Sequence, residues 1–263
     1  MRLTAVLLFL TASGVVIAQP TVGGIVNGAS FVQGQAIAPG SLFSIFGTNL
    51  ASTTAAADTI PLSTTLGGVS VKFVSSTATA EAPLLFLQSN QINAVVPQNI
   101  VPSGTTEEVS VIVTNGSVSS PAAKVSVFEF SPAVFSVGTL AAAQNTDGSL
   151  AQPVGSISGR ATHPATIGST IVIYATGLGP VDTPIADGAI PPAGKVINTL
   201  HKPFVSIGNM SATIQFCGLS PQFVGVYQLN VIVPNAVPGD AVPIVLTLGG
   251  ISSPKTITLA ISQ

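Results

Sequence analysis

Apolar and polar residues alternate with a period of two along most of the chain. The run EEVSVIVT places its valines on one side of an extended segment, and STIVIYATG, SATIQF and VPIVLTL are further short runs rich in β-branched residues. Alternation of this kind is typical of strands with one buried face, because successive side chains of a strand point to opposite sides. Turn-forming pairs such as Asn115-Gly116 and Gly249-Gly250 separate the runs.

Helical patterning is missing from the chain beyond its N-terminal segment. No stretch there carries apolar residues at the i, i+3, i+4, i+7 spacing of an amphipathic helix. The 26 glycines and 20 prolines also interrupt the chain too often for long helices. The predicted fold class is therefore all-β.

Three sequence blocks occur twice in the same order. SLFSIFGTNL at residues 41–50 matches STIVIYATGL at 169–178, QINAVVP at 91–97 matches QLNVIVP at 228–234, and GSVSSP from Gly116 matches GGISSP from Gly249. The separations are 128 (169 − 41), 137 (228 − 91) and 133 residues (249 − 116). Separations that drift only slightly indicate a tandem duplication with insertions and deletions in loops. A period of this length suits two copies of one domain rather than a solenoid or a propeller.

Each copy contains roughly seven strand-length runs, which favours an immunoglobulin-like β-sandwich over a barrel. A weaker fourth match relates VGGIVNGASFVQG to AAAQNTDGSLAQP. The boundary is predicted near Phe130-Ser131-Pro132, because a proline cannot continue a central ladder. We therefore expect two tandem immunoglobulin-like β-sandwich domains, at residues 19–130 and 131–263.

The N-terminus has the pattern of a secretory signal peptide. Arg2 forms a short basic region, an apolar run follows from Leu7 to Val16, and Ala18 offers a small residue before the cleavage point. A retained anchor is the alternative, although the run is short for a membrane span and no stop-transfer charges follow it. We predict a signal peptide at residues 1–18, no integral span after cleavage, and a secreted, cell-surface or periplasmic location.

Charge is scarce, and this narrows the range of partners. Only 6% of the residues are Asp, Glu, Lys or Arg, against roughly 25% in an average soluble domain. So few basic residues cannot neutralise a phosphate backbone, which argues against nucleic acid, and the same holds for anionic membrane surfaces. A surface of Ser, Thr, Asn, Gln and Gly has little charge repulsion, so association with protein or with itself is expected.

Two interpretations fit the duplicated Gln-x-Asn pairs, Gln91 with Asn93 and Gln228 with Asn230. Residues i and i+2 of a strand share a face, so each pair could present two amides to a sugar or a peptide backbone. The same amides could instead bond neighbouring loop backbone where a strand enters the sandwich. The architectural interpretation is favoured, because amides lack the acid or nucleophile that most chemistry needs.

Catalytic and metal-binding signals are weak. A Ser-His-Asp set could be assembled from a serine, His163 and Asp147 or Asp187, but no G-x-S-x-G elbow occurs, and neither His163 nor His201 has a local signature. Zinc ligand spacing is missing, and NTDGS lacks the acidic series of a calcium loop. We expect no enzyme activity, no cofactor and no metal site.

Cysteine and aromatic usage adds two expectations. Cys217 is single, so no intramolecular disulfide can form, and burial as a small apolar residue is favoured over a thiol that joins two chains. The chain has no Trp, and Tyr174 and Tyr227 both sit in apolar strand runs. Sugar binding by aromatic stacking is therefore disfavoured.

A set of motifs resembles a known family. They are GIVNGASF, IAPGSLFSIFGTNLA, LGGVSV, APLLF, QINAVVP, IVIYATGLGP, GLSPQFVGVYQLNVIVP and ISSP. Over about residues 24–262 they resemble the secreted domain family abundant in Acidobacteria, called the Solibacter-type C-terminal domain. The IYATGL segment is also similar to the IPT/TIG branch of immunoglobulin-like folds. The resemblance implies secretion and a β-sandwich, and it brings no catalytic residues or cofactor.

Together these observations favour a non-catalytic exported module that acts in adhesion, assembly or scaffolding at the cell surface. Its expected partner is another protein or a second copy of the chain at the cell envelope. A module that binds an extracellular polysaccharide is the alternative, and a secreted hydrolase is a third hypothesis.

Overall fold

The computed structural model describes residues 18–263, which consist of strands, turns and loops. This range contains no helix long and apolar enough to cross a membrane. The predicted signal peptide falls on residues 1–17 and Ala18, so all but its last residue lies outside the described residues. The all-β prediction is confirmed, and the strands form two tandem immunoglobulin-like β-sandwiches.

The first domain contains the strands up to Phe128, seven of which have five or more residues. Its strands are β1 (Thr21–Asn27), β2 (Leu42–Thr48), β3 (Ala55–Ala56), β4 (Thr65–Leu66), β5 (Val69–Val74), β6 (Thr79–Glu81), β7 (Leu84–Gln88), β8 (Gln91–Val95), β9 (Thr106–Asn115), β10 (Val118–Ser119) and β11 (Ala123–Phe128).

The second domain contains the strands from Ala133 onward, six of which have four or more residues. They are β12 (Ala133–Val134), β13 (Ser136–Val137), β14 (Leu140–Ala141), β15 (Ala143–Asn145), β16 (Leu150–Ala151), β17 (Thr162–His163), β18 (Ala165–Thr166), β19 (Thr170–Thr176), β20 (Phe204–Ile207), β21 (Met210–Ser211), β22 (Thr213–Leu219), β23 (Tyr227–Ile232), β24 (Gly239–Leu248), β25 (Ile251–Ser252) and β26 (Thr258–Ser262).

Each domain is built from two sheets. In the first domain the orders are β1-β2-β8-β7-β3 and β10-β9-β5-β4, with β11 also on β9 and β6 on β5. In the second domain they are β17-β16-β15-β19-β23-β22, with β12 on β19, and β13-β14-β26-β24-β20-β21, with β18 on β26 and β25 on β24. One apolar core fills each sandwich, and alternate strand residues such as Val109, Val111 and Val113 point into it.

The duplicated sequence blocks occupy equivalent strands in the same register. β2 pairs with β8 so that Ser44 lies opposite Asn93, and β19 pairs with β23 so that Val172 lies opposite Asn230. Val172 follows Ser44 by 128 residues (172 − 44) and Asn230 follows Asn93 by 137 (230 − 93), which are the separations of the repeated blocks. The two domains therefore share one strand framework.

The GSVSSP and GGISSP blocks match because each forms the same turn after a long strand. The Ser120 hydroxyl accepts a bond from the Val113 N–H (3.0 Å), and the Ser253 hydroxyl accepts one from the Leu246 N–H (2.9 Å). Each serine thus satisfies a backbone donor where the hairpin ladder is interrupted. This bond gives a physical reason for the repeated Ser-Ser-Pro.

A third apolar cluster joins the two domains, and we call it the junction cluster. It contains Leu42, Leu62 and Val95 of the first domain and Val224 and Val226 of the second. Val224 and Val226 belong to the loop 220–226 between β22 and β23. Because all five side chains are buried, the hydrophobic effect favours the docked arrangement.

The linker residue Ser131 is bonded to both domains. Its carbonyl accepts from the Asn27 side chain (2.9 Å), and its hydroxyl accepts from the Gln35 amide (3.1 Å), both in the first domain. Its own N–H donates to the carbonyl of Gly177 in the second domain (2.9 Å). The linker is therefore held at both ends, which fixes the relative position of the two sandwiches.

Candidate functional site

The two Gln-x-Asn pairs adopt the same local geometry. The Gln91 amide donates to the Asn93 side-chain oxygen (2.8 Å), and the Gln228 amide donates to that of Asn230 (2.9 Å). All four side chains are half-buried on the outer side of a strand. As predicted from their spacing, the two amides of each pair share a face.

The bonds of these amides differ from the expected contacts with loop backbone. Within residues 18–263 the amides of each pair bond to one another, and Asn93 accepts a further bond from the Ser44 hydroxyl (2.9 Å). Asn230 faces Val172 instead, which has no hydroxyl to donate. The pairing follows from the strand geometry, since i and i+2 side chains lie close enough for one amide to reach the next.

Aromatic rings flank the amides at equivalent positions in both domains. Phe46 lies beside Gln91 and Phe86 beside Asn93 in the first domain. In the second domain Tyr174 lies beside Gln228, and Phe216 beside Asn230. We call these two sets of four residues the first-domain face and the second-domain face.

A β-bulge places Phe86 and Phe216 on these faces. The register shifts between Leu84 and Phe86 in β7, and between Ile214 and Phe216 in β22. The extra residue moves the aromatic side chain to the outer side of the sheet, where the regular alternation would not place it. Bulges at matching positions therefore build both faces in the same way.

A second, more exposed ring contacts an aromatic ring of each face at an angle. Phe31 contacts Phe46 with ring centroids 6.2 Å apart, and Phe223 contacts Tyr174, also at 6.2 Å. Phe31 and Phe223 are each 51% exposed. They come from loops that do not correspond in the two domains, since Phe31 precedes β2 and Phe223 follows β22.

The faces combine apolar rings with amide donors and acceptors. Exposed rings offer stacking and apolar contact, and the amides offer directional hydrogen bonds. Such a surface can hold a neutral partner by contact, whereas it brings no acid, base or nucleophile to one point. The sequence indicated the amides, but Phe86 and Phe216 depend on strand register, and Phe31 and Phe223 on loop conformation.

His163 and Asp147 do meet, although not as part of a catalytic triad. The His163 Nε2 lies 2.9 Å from the Asp147 carboxylate, and the Ser149 hydroxyl donates to that same carboxylate (2.6 Å) rather than to the histidine. The His163 Nδ1 faces the Pro164 carbonyl (2.9 Å). Protonated His163 can donate to both of these oxygens, and within residues 18–263 no serine hydroxyl bonds to its ring.

Electrostatics support a charged His163–Asp147 pair. Hydrogen bonds from Ser149, then from His163, hold the pKa of Asp147 well below its usual range. Hydrogen bonding to Asp147, then to the Pro164 carbonyl, raises the pKa of His163. Both side chains are largely exposed, so the pair is a surface ion pair.

The structure also shows the surroundings of Cys217, His201 and Asp187. Cys217 is buried as predicted, burial raises its pKa, and the Thr199 hydroxyl lies 3.3 Å from its sulfur. His201 stacks edge-on against Phe130 with centroids 5.6 Å apart, and Asp187 accepts a bond from the Gln98 N–H. No group of three or more His, Cys, Asp or Glu side chains within residues 18–263 is placed to hold a metal ion.

No protein-family model and no curated protein matches the chain. Solved structures with similarity include a surface glycan-binding protein of Bacteroides ovatus in complex with a mixed-linkage heptasaccharide (11% identity, 93% of this chain, 47% of that one, TM-score 0.38). Others are a surface glycan-binding protein of Prevotella bryantii (13%, 89% and 41%, TM-score 0.27) and domains 5–6 of the S-layer protein SbsC (10%, 92% and 98%, TM-score 0.25). The chain spans less than half the length of the two glycan-binding structures.

Proposed function

We propose that the protein is a non-catalytic exported module that acts in adhesion, assembly or scaffolding at the cell surface. One observation carries the proposal: both domains present an apolar ring of equal exposure, Phe31 and Phe223, beside a duplicated amide pair. The scarcity of charge supports it, because little electrostatic repulsion opposes contact between such faces. Exposed rings bordered by polar groups are a common feature of protein contact sites.

The proposal predicts association through the exposed ring of the first domain. Sedimentation of the secreted chain over a range of concentrations should show a mass that rises with concentration. Phe31→Ser should abolish the rise, because Phe31 is exposed and its replacement removes the ring from the face. Phe204→Ser is a matched control, since Phe204 is 56% exposed on β20, outside both faces. A constant monomer mass, or equal effects of the two substitutions, would contradict assembly through this face.

Binding of an extracellular polysaccharide is the second candidate. It is favoured by the tilted pair Phe31–Phe46 and the edge-to-face pair Phe223–Tyr174, which offer ring surface beside amides that can bond hydroxyl groups. The sequence alone disfavoured stacking, because it did not reveal which rings are exposed. Two similar sites on a rigid chain would also bind a long polymer with avidity.

Affinity electrophoresis through gels that contain a neutral polysaccharide separates the two candidates. If a glucan is the partner, the gel retards the protein, and Phe31→Ala or Phe223→Ala each weakens retardation about tenfold, as expected for a lost stacking contact. The double variant should run as it does without polysaccharide, and Phe204→Ala should not change mobility. Unretarded migration in a panel of neutral glucans, mannans and xylans would remove this candidate and leave assembly as the proposal.

A further inference from the structure

A cavity of about 270 Å³ lies where the two domains meet, beside the junction cluster. Residues of both domains line it. Five prolines contribute to the walls, together with Phe223 and Tyr227 of the second domain. Cavities at domain interfaces with mostly apolar walls and a few polar groups are typical of small-molecule sites. The volume suits a molecule of about the size of one six-membered ring with a short substituent.

Hydrogen bonds across the junction hold the walls in place. The Gln98 N–H donates to the Asp187 carboxylate (3.0 Å), and the Gln98 side-chain amide donates to the Ile185 carbonyl (3.1 Å). The buried Tyr227 hydroxyl donates to the Gly179 carbonyl (2.6 Å). These groups are therefore already partnered, and the cavity is preformed rather than dependent on a ligand.

Glu129 is the one charged residue in the cavity lining. Glu129 is half-buried as a residue, and its carboxylate accepts a single, solvent-exposed hydrogen bond from the Ser103 hydroxyl (2.9 Å). Within residues 18–263 it makes no ion pair, and no Lys, Arg or His side chain lines the cavity. A carboxylate that lines a cavity of mixed polar and apolar surface, with no positive charge in the lining, is complementary to a positively charged occupant.

We propose that this cavity binds a small organic cation, an ammonium group carried on an apolar body. The ammonium lies against the Glu129 carboxylate, and the apolar body packs against the proline walls and the Phe223 ring. Anionic ligands are rejected, because the cavity contains one negative charge and no positive one. This site contains neither amide pair, although it shares the Phe223 ring with the second-domain face, and its test does not depend on the proposed surface function.

Three ligands of one shape test the charge preference: cyclohexylmethylamine, cyclohexylmethanol and cyclohexanecarboxylate. Titration of the folded chain with each, followed by NMR shifts of the backbone amides that line the cavity, gives a Kd for every ligand. The amine should bind about two- to fivefold more tightly than the alcohol, as expected for a partly exposed ion pair. The carboxylate should not bind. The absence of any shift with the amine at millimolar concentration, or equal binding of amine and alcohol, would overturn the proposal.

Two substitutions locate the charge that is responsible. Glu129→Gln keeps the shape of the side chain, so the amine should then bind no better than the alcohol, whose own affinity should be unchanged. Glu108→Gln is the matched control, because Glu108 lies on β9 outside the cavity and near Lys124. Unchanged amine binding in Glu129→Gln, or an equal loss in Glu108→Gln, would show that the cavity carboxylate does not select the ligand.

Discussion

The two domains share a strand framework but differ in the loops that extend from it. In the first domain the loop between β7 and β8 has two residues, Ser89 and Asn90, whereas the equivalent loop between β22 and β23 spans seven residues, 220–226. That longer loop supplies Val224 and Val226 to the junction cluster and Phe223 to the second-domain face. Duplication therefore supplied two similar sandwiches, and one enlarged loop joins them into a single unit.

Equivalent strand positions also serve different purposes in the two domains. Leu42 and Val95 form a cross-strand pair that the second domain buries. Their counterparts Thr170 and Ile232 form the same pair at the ends of β19 and β23, where both are half-buried. The framework determines where a side chain points, and the neighbouring domain determines whether it is buried. Substitutions in corresponding parts of the two domains should therefore have different effects on stability.

The largest effect is expected at the left-handed residue that follows β2 and β19. Asn49 (φ 55°) and Gly177 (φ 76°) occupy equivalent positions, but a Cβ on Gly177 would overlap the carbonyl oxygen of Ser131. Gly177→Asn should therefore lower the free energy of unfolding by about 3–5 kcal/mol, since the linker must shift. Asn49→Gly should cost less than about 1 kcal/mol, because glycine adopts this conformation freely. Urea denaturation measures both, and similar losses would show that the linker does not restrict Gly177.

The next effect concerns the junction cluster. Leu42→Ala leaves a cavity against Val224 and Val226, so we expect a loss of about 2–3 kcal/mol. Ile232→Ala, at the position equivalent to Val95, should cost only about 1 kcal/mol. Ile232 is half-buried and does not belong to the junction cluster. Thermal unfolding of the two variants checks the order. Equal losses would mean that docking adds little burial.

A smaller loss of unfolding free energy is expected for substitutions in the amide pairs, and the loss should differ between the two domains. Asn93→Ala should cost about 1–2 kcal/mol, because it leaves the buried Ser44 hydroxyl and the Gln91 amide without an acceptor. Asn230→Ala removes one bond and should cost about 0.5–1 kcal/mol. Each substitution should lower the melting temperature. Combining Ser44→Ala with Asn93→Ala should cost less than the sum of the single changes, because the double variant no longer contains a Ser44 hydroxyl without an acceptor. If both asparagines can be replaced without loss of stability but partner binding disappears, the architectural interpretation is wrong.

The smallest effect is the pH dependence of the His163–Asp147 pair. Because the pKa of His163 is raised in the folded state, the protonated histidine stabilises the fold fully below pH 6.5. This stabilisation is lost as the pH rises through the folded-state pKa. Because the pKa of Asp147 is lowered in the folded state, the ionised carboxylate stabilises the fold fully above pH 3.8. This stabilisation is lost as the pH falls through the folded-state pKa. Both contributions are present between pH 3.8 and 6.5.

An NMR titration of the His163 ring checks this pair directly. Its midpoint should lie above 6.5 in the unaltered protein and move down toward 6.5 in Asp147→Asn. Asp182→Asn is the control, since the Asp182 carboxylate bonds Asn198 instead and should leave the midpoint unchanged. A midpoint at 6.5 before substitution would show that the pair does not persist in solution.

Much of the framework follows from local sequence patterns. Alternation predicted the strands, and the repeated blocks predicted two similar sandwiches, because both patterns reflect which side chains face a core. The shared face of Gln91 and Asn93 follows from the strand period alone. Membership of the Solibacter-type family stays a prediction from the motifs.

The rest depends on contacts between distant residues. Phe86 and Phe216 reach their faces only through β-bulges, whose positions depend on pairing with β8 and β23. Phe31 and Phe223 lie on loops, and the alternation of apolar and polar residues in the sequence does not predict loop conformation. The bond from Asn27 to Ser131 spans 104 residues, so no local pattern could indicate it.

Calorimetry of the intact chain tests whether loop 220–226 and the linker join the two domains into one cooperative unfolding unit. If the junction cluster and the Ser131 bonds couple the domains, unfolding should be a single transition in which the calorimetric enthalpy equals the van't Hoff enthalpy. Two resolved transitions, or a calorimetric enthalpy about twice the van't Hoff value, would show two domains that unfold independently.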